Sequence, residues 1–211
     1  NTRRQRIAAC SSFFSDLERW GVIDKNPFQR AKGVPKKTLL TKSYDSIPTN
    51  EELDHIERFA LIQIKKASDG GRGTNKKLAG GIFALCTLKI LRMYGLRVGA
   101  LKTLKIDRNG NFKAFSKGKE VYGKFNEDIL NLLDSYGLSR REPFRDYSEA
   151  AFSMWLWRAQ KSDELAGMFK TKFSPHSIRH RFSINFYDRT KDVNELSRRL
   201  GHSSLLVTTS Y

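Results

Sequence analysis

Apolar residues recur at helical spacing along most of the chain. In "IAACSSFFSDLERW" (residues 7–20) Ile7, Phe13, Phe14, Leu17 and Trp20 share that period, and Gly21 supplies a stop. A second helix is predicted within "IPTNEELDHIERFALIQIKK", with Thr49 or Asn50 as N-cap and acidic residues in its first turn. The most apolar run, "LAGGIFALCTLKILRMYGL", contains Lys89 and Arg92, so it predicts a buried helix over 78–94, stopped by Gly95, rather than a membrane span. One stretch departs from the helical period. "LKIDRNGNFKAFSKGKEVYGKF" reads as a small antiparallel sheet, with Asn109-Gly110 as a hairpin turn and "SKGKE" as a second turn. Helices are expected again at 127–136, closed by Gly137, and at about 148–165. Two more follow. One starts at Ser174 (N-cap) and Pro175 (first turn), and the other runs from Asp192 (cap) and Glu195 (third position) to Gly201. The pattern is that of a mostly α chain with one small antiparallel sheet, an α+β class.

Composition adds a partner. The 211 residues are 39% hydrophobic, enough for a core, yet the formal net charge is +17. An excess of that size favours a polyanion, nucleic acid above all. Residues 1–42 hold ten Lys/Arg against three Asp/Glu, and "KNPFQRAKGVPKK" within them reads as a basic linker with two prolines. One short helix cannot bury its own apolar stripe. Residues 1–34 are therefore expected to end a domain that begins before this sequence, and residues 35–211 to form a second domain. Cys10 and Cys86 show no paired spacing, which predicts neither a zinc site nor a disulfide framework and makes a reducing compartment the default. The first residues lack the apolar core of a signal peptide. The Gly-rich "ASDGGRGTNKK" lacks the G-K-[ST] ending of a phosphate-binding loop and reads as a connector.

Candidate chemistry gathers near the end. At 100° per residue, His176 and Arg179 fall on one face of the predicted helix "PHSIRHRFSINFYDR", while Ile178, Phe182 and Phe186 fall roughly opposite and face the core. The pair is expected to aim outward from a helix N-terminus, where free N–H groups already favour an anion. That describes a phosphate site, although the pair alone is no more than a basic helix face. His202 emerges just past the Gly201 stop, and Tyr211 follows nine residues later through a Ser/Thr-rich segment of poor helix propensity.

Taken together these residues resemble the tyrosine recombinase family: phage integrases and the Xer and Cre recombinases. His176-Ser-Ile-Arg179 matches its H-x-x-R, Leu200-Gly201-His202 its L-G-H, and Tyr211 its tyrosine nine positions on. "YGLRVGA" is similar to the family's T-G-L-R-x-x-E and gives Arg97, with Ala100 where the acid usually stands. The hairpin lysine maps onto Lys117, with Lys119 as close competitor. The resemblance covers nearly the whole chain and implies a catalytic domain preceded by the end of a helical DNA core-binding domain. Family chains continue past the tyrosine with a tail that packs on a neighbour, so a sequence stopping at Tyr211 is expected to be cut short of it.

The residue types suit phosphoryl transfer. Arg97 and Arg179 offer forked donors matched to non-bridging phosphate oxygens, with His176 and His202 as further donors. Tyr211 would attack phosphorus. By the resemblance His176 is the base and Lys117 protonates the leaving 5′ oxygen, leaving a 3′-phosphotyrosine. Bond energy is kept, so neither metal nor ATP is needed. Tyr187 shares the His176 face but lies roughly 16 Å along the helix, too far for one phosphate. Tyr94, Tyr122 and Tyr147 read as core or sheet aromatics, His180 as a packing residue or one that supports a site residue, and Arg181 as a solvated charge or backbone contact. Arg3, Arg4, Lys36, Lys37, Lys76 and Lys77 are expected to meet DNA phosphates.

The expected function is site-specific recombination of double-stranded DNA, carried out by a homo-tetramer on two duplexes. The expected setting is the cytoplasm, beside the nucleoid, if the source is prokaryotic or phage, with no membrane partner. A type IB-like nicking-closing enzyme and a non-catalytic DNA-binding protein on the same fold are the alternatives.

Overall fold

The structure, a computed structural model, describes residues 3–27, 47–70, 75–116, 118–138 and 141–201, with backbone alone at 3–9 and 75. Contacts divide the chain into two units, Asn1–Lys42 and Ser43–Tyr211. The domain boundary expected at 34/35 falls outside the described residues.

The first unit contains α1 (Arg3–Arg19). Gly21, with φ of +70°, turns the chain after it. Asn26 is buried and donates to the Ser11 carbonyl (3.0 Å) and the Ser15 hydroxyl (2.8 Å), fastening the turn to its own helix. Phe13 and Trp20 of the apolar stripe are exposed, as is Val22 beyond it.

The second unit runs from α2 (Asn50–Ser68) to α7 (Val193–Leu200). Thr49 is the N-cap of α2, and Glu52 completes a capping box. Glu52 is itself buried. One of its oxygens accepts from the Thr49 N–H at 2.7 Å and the other from the Lys170 N–H at 3.0 Å, so this carboxylate joins the start of α2 to the segment leading into α6. Next comes α3 (Asn75–Tyr94), which packs along α2 through Leu53, Ile56, Leu88 and Leu91, all fully buried. Across its edge Lys89 pairs with Glu57 and Arg92 with Asp54, so both charges of the apolar run are neutralised at the α2–α3 seam. Among the described residues no helix is long and apolar enough to cross a membrane.

A 3-10 helix, Val98–Thr103, then leads into three antiparallel strands in the order β1 (Lys105–Ile106), β2 (Asn111–Ser116) and β3 (Lys119–Lys124). Asp107 fixes the first turn by accepting from the Asn111 side-chain amide and from the N–H groups of Asn111 and Asn109, and these bonds hold its carboxyl below the usual carboxylate range. Alternate β2 residues, Phe112, Ala114 and Ser116, face inward. Phe112 stacks on Phe125 (4.3 Å between centroids), and Tyr94 meets both rings edge-on.

Two helices follow, α4 (Glu127–Ser135, capped by Asn126) and α5 (Glu149–Ala159, capped by Ser148). The helix expected over 148–165 thus ends earlier, and Asp163–Leu165 forms a separate 3-10 turn. It breaks where the Gln160 side chain turns to the Phe173 backbone, accepting its N–H and donating to its carbonyl. Finally come α6 (Pro175–Thr190) and α7. Ser174 caps α6 with Pro175 in its first turn, and Asp192 caps α7 with Gly201 left-handed at its end, as the sequence predicts. Phe182 and Phe186 of α6 pack with Leu196 and Leu200 of α7 as a small cluster beside the main core.

Candidate active site

The site is built on α6. Ile178, Phe182 and Phe186 are buried and seat the helix on α3 and α7. The expected outward aim holds for His176, which is exposed at the N-terminal turn, and fails for Arg179, which is 3% exposed. The Arg179 guanidinium reaches inward to two carbonyls at 2.5 Å each: Gly95, just past α3, and Leu200, the last residue of α7. Main-chain carbonyls left over at helix ends need donors, and a buried arginine supplies them here. A charge this deep is tolerable only when hydrogen-bonded. His180, one turn on, meets the His176 ring edge-on at 4.6 Å, in line with a packing role.

Gly95 makes this possible. Its φ is +61°, and a Cβ there would lie 2.2 Å from Cδ1 of Phe182. Only glycine allows α3 to end against α6 so closely that the carbonyl meets Arg179.

Arg97 stands two residues on, as N-cap of the Val98–Thr103 turn. Its Nη1 donates to the Ser116 hydroxyl at 3.0 Å. Ser116 is the last inward residue of β2 and 7% exposed, so the sheet alternation that buries Phe112 and Ala114 also places this hydroxyl under Arg97. Lys119 begins β3 opposite Ser116 and is exposed.

Arg97, His176 and Arg179 line one cavity of about 480 Å³, together with Ser116 and Ser174. Phe115 borders it, half exposed, at the sheet edge. α5 contributes Glu149 and Ser153. Sequence reasoning found the two arginines and the histidine, but not Ser116, Phe115, Glu149 or Ser153. These four belong to no motif; strand alternation along β2 is the signal that could have pointed to Ser116. The cavity therefore carries two fixed cations, an imidazole and the start of a helix, a set suited to an oxyanion with several acceptor oxygens.

Of the other expected site residues, Lys117, His202, Tyr211, Lys36 and Lys37 lie outside the described residues. Arg3 and Arg4 lie in the first turn of α1. Lys76 and Lys77 are exposed in the first turn of α3 and are not among the residues that line the cavity. Arg181 donates to the Pro48 carbonyl at 2.5 Å, a contact within the protein. Among the described tyrosines, Tyr94 and Tyr147 both have phenols held above their usual pKa by burial, which opposes the phenolate a nucleophile needs. Tyr94 instead accepts the Asn126 N–H at 2.7 Å. Tyr122 is an exposed sheet residue bonded to Glu120, and Tyr187 is exposed beneath Lys191.

No protein-family model matches the chain. Curated relatives do. A tyrosine recombinase of Agathobacter rectalis is 24% identical over 228 residues, which cover 99% of this chain and 70% of the relative. The tyrosine recombinase XerC of Myxococcus xanthus is 27% identical over 229 residues, covering 100% and 70%. Solved structures share the fold. XerH site-specific recombinase bound to its difH substrate superposes with a TM-score of 0.57 at 20% identity, over 79% of this chain and 49% of that one. A lambda integrase dimer bound to a COC′ core site gives 0.64 at 18%, over 97% and 57%. A lambda integrase tetramer bound to a Holliday junction gives 0.60 at 17%, over 95% and 58%. The chain thus spans about half to three fifths of those solved chains. Helices around a three-stranded antiparallel sheet match the fold of the tyrosine recombinase catalytic domain. The chain is similar in sequence to tyrosine recombinases, XerC among them, and in fold to Xer and lambda integrase structures.

Proposed function

We propose that this chain carries the catalytic domain of a site-specific DNA recombinase that cuts and rejoins DNA through a tyrosine. The observation that carries the proposal is the convergence of Arg97 and Arg179, far apart in sequence, with His176 on a single cavity. The way each is held supports the role proposed for it. Arg179, fixed by two carbonyls, is a preorganised donor that need not move when charge develops on phosphorus. Among the described residues Arg97 has one hydrogen-bond partner, which leaves the rest of its forked donors for an incoming phosphodiester. His176, exposed at the helix start, is placed to exchange a proton with solvent or with a nucleophile.

Tyr211 is the proposed nucleophile and forms the O–P bond as the 5′ oxygen leaves with a proton from Lys117; His202 adds a donor. The bond formed is of the same kind as the bond broken, so reversal by a 5′ hydroxyl of a second strand completes exchange without ATP or metal. The basic excess and the exposed Lys76 and Lys77 supply non-specific phosphate contacts. The lambda integrase neighbours assemble as a dimer on a core site and a tetramer on a Holliday junction. A tetramer on two duplexes is proposed for this protein too.

The test separates exchange from relaxation. A library of nicked duplexes with randomised arms is incubated with the full-length protein, and DNA held covalently is sequenced. Two copies of the recovered site are then placed in one supercoiled plasmid. Two resolved circles, or an inverted segment, are expected. Relaxed plasmid without exchange would place the protein with nicking-closing enzymes instead, and binding without any covalent product would leave a DNA-binding protein.

A further inference from the structure

Among the described residues the cavity contains one group of the wrong sign for a phosphate site. Glu149, the first residue of α5, lines it together with Ser153 one turn later, so one face of α5 borders the pocket. The Glu149 carboxylate rests against Gly99: a Cβ at that position would lie 2.7 Å from Oε2. A glycine two residues after Arg97 therefore keeps the space that an acid from another helix occupies. The Val98–Thr103 turn has no carboxylate of its own, and its residue 100 is a buried alanine. Among the described residues Arg97 has the Ser116 hydroxyl as its hydrogen-bond partner, and no ion pair joins it to Glu149. A carboxylate bordering an anion pocket opposes the anion unless it acts on one of the cations that receive it.

We propose that Glu149 is a positioning residue for Arg97. With a phosphodiester in the cavity, the guanidinium presents one edge to the phosphate and another to the Glu149 carboxylate, which sets its plane. A planar fork with five donors can serve two oxyanions at once, as an ammonium cannot. The inference rests on the reading of the cavity as a phosphate site and adds a residue that no sequence motif contains.

Two other roles for Glu149 make different predictions. An acid in the first turn of α5 favours the helix dipole. If that is its whole purpose, Glu149→Gln lowers the melting temperature and leaves the reaction untouched. If Glu149 only repels DNA, Glu149→Gln binds more tightly and cleaves faster. The positioning role predicts single-turnover cleavage of the recovered site slowed about tenfold in Glu149→Gln, with site affinity undiminished. Glu149→Asp recovers part of the rate. In an Arg97→Lys background the same substitution costs less than about twofold, because the group it acts through is gone. Gly99→Ala displaces the carboxylate, so it reproduces the Glu149→Gln rate and adds nothing to that variant. An unchanged or raised rate in Glu149→Gln, or an equal loss in the Arg97→Lys background, would overturn the proposal while leaving the phosphate-site reading intact. Failure of the wild-type protein to form any covalent product would remove both.

Discussion

The Nη2 of Arg179 donates to the carbonyl of Leu200 at 2.5 Å, and the same guanidinium holds the Gly95 carbonyl, so one buried side chain joins the ends of α3 and α7 to α6. The residue proposed to grip phosphate is also a structural tie, and its loss should be felt twice. Arg179→Ala leaves two buried carbonyls without donors, and destabilisation of roughly 2–4 kcal/mol is expected along with loss of cleavage. Urea unfolding followed by far-UV circular dichroism measures it.

Arg97 should behave differently. It is half-buried, and among the described residues it has one neutral partner, Ser116. Arg97→Ala is expected to abolish cleavage while changing stability by no more than about 1 kcal/mol. The contrast between the two variants, run side by side, separates the rigid donor from the poised one.

Gly95→Ala tests the close approach that lets the Gly95 carbonyl reach Arg179. The added methyl meets the Phe182 ring in a left-handed conformation. A loss of roughly 2–3 kcal/mol is expected, and activity should fall even at temperatures where the variant is folded, because the Gly95 carbonyl shifts from Arg179.

The two cysteines give a pH signature. Cys86 is fully buried, and burial pushes its thiol up to about 12, while Cys10 is exposed. A thiol reagent at pH 8 should modify one cysteine in the native protein and both in denaturant. The sign of the stability effect follows from linkage. The folded state keeps a proton on Cys86 that the unfolded chain releases near its ordinary pKa. Stability is therefore unaffected below about pH 8 and falls as pH rises past about 9. Cys86→Ser or Cys86→Ala should flatten that alkaline slope, although each lowers stability overall.

Most of the fold was legible because its punctuation is local. Thr49, Asn126, Ser148, Ser174 and Asp192 all cap helices, and Gly95, Gly110, Gly137 and Gly201 take positive φ where a stop or turn was expected. The inward turn of Arg179 was not legible, since helical spacing gives a face but not what stands opposite it. The premature end of α5 was hidden for a similar reason: Gln160 is drawn to the Phe173 backbone, thirteen residues away. The arginines and the histidine announced themselves through motif spacing. Ser116 and Glu149 entered the site only through tertiary structure, one by strand alternation and one from a helix distant in sequence.

The central claim is a covalent bond between this protein and DNA. Full-length protein is incubated with the nicked-duplex library, digested with protease, and the DNA-linked peptide is sequenced by mass spectrometry. The account predicts a 3′-phosphoryl link on Tyr211, absent in Tyr211→Phe and in Arg97→Ala, with DNA binding retained in both variants. A link on any other residue, an adduct that persists in Tyr211→Phe, or binding with no adduct would contradict it.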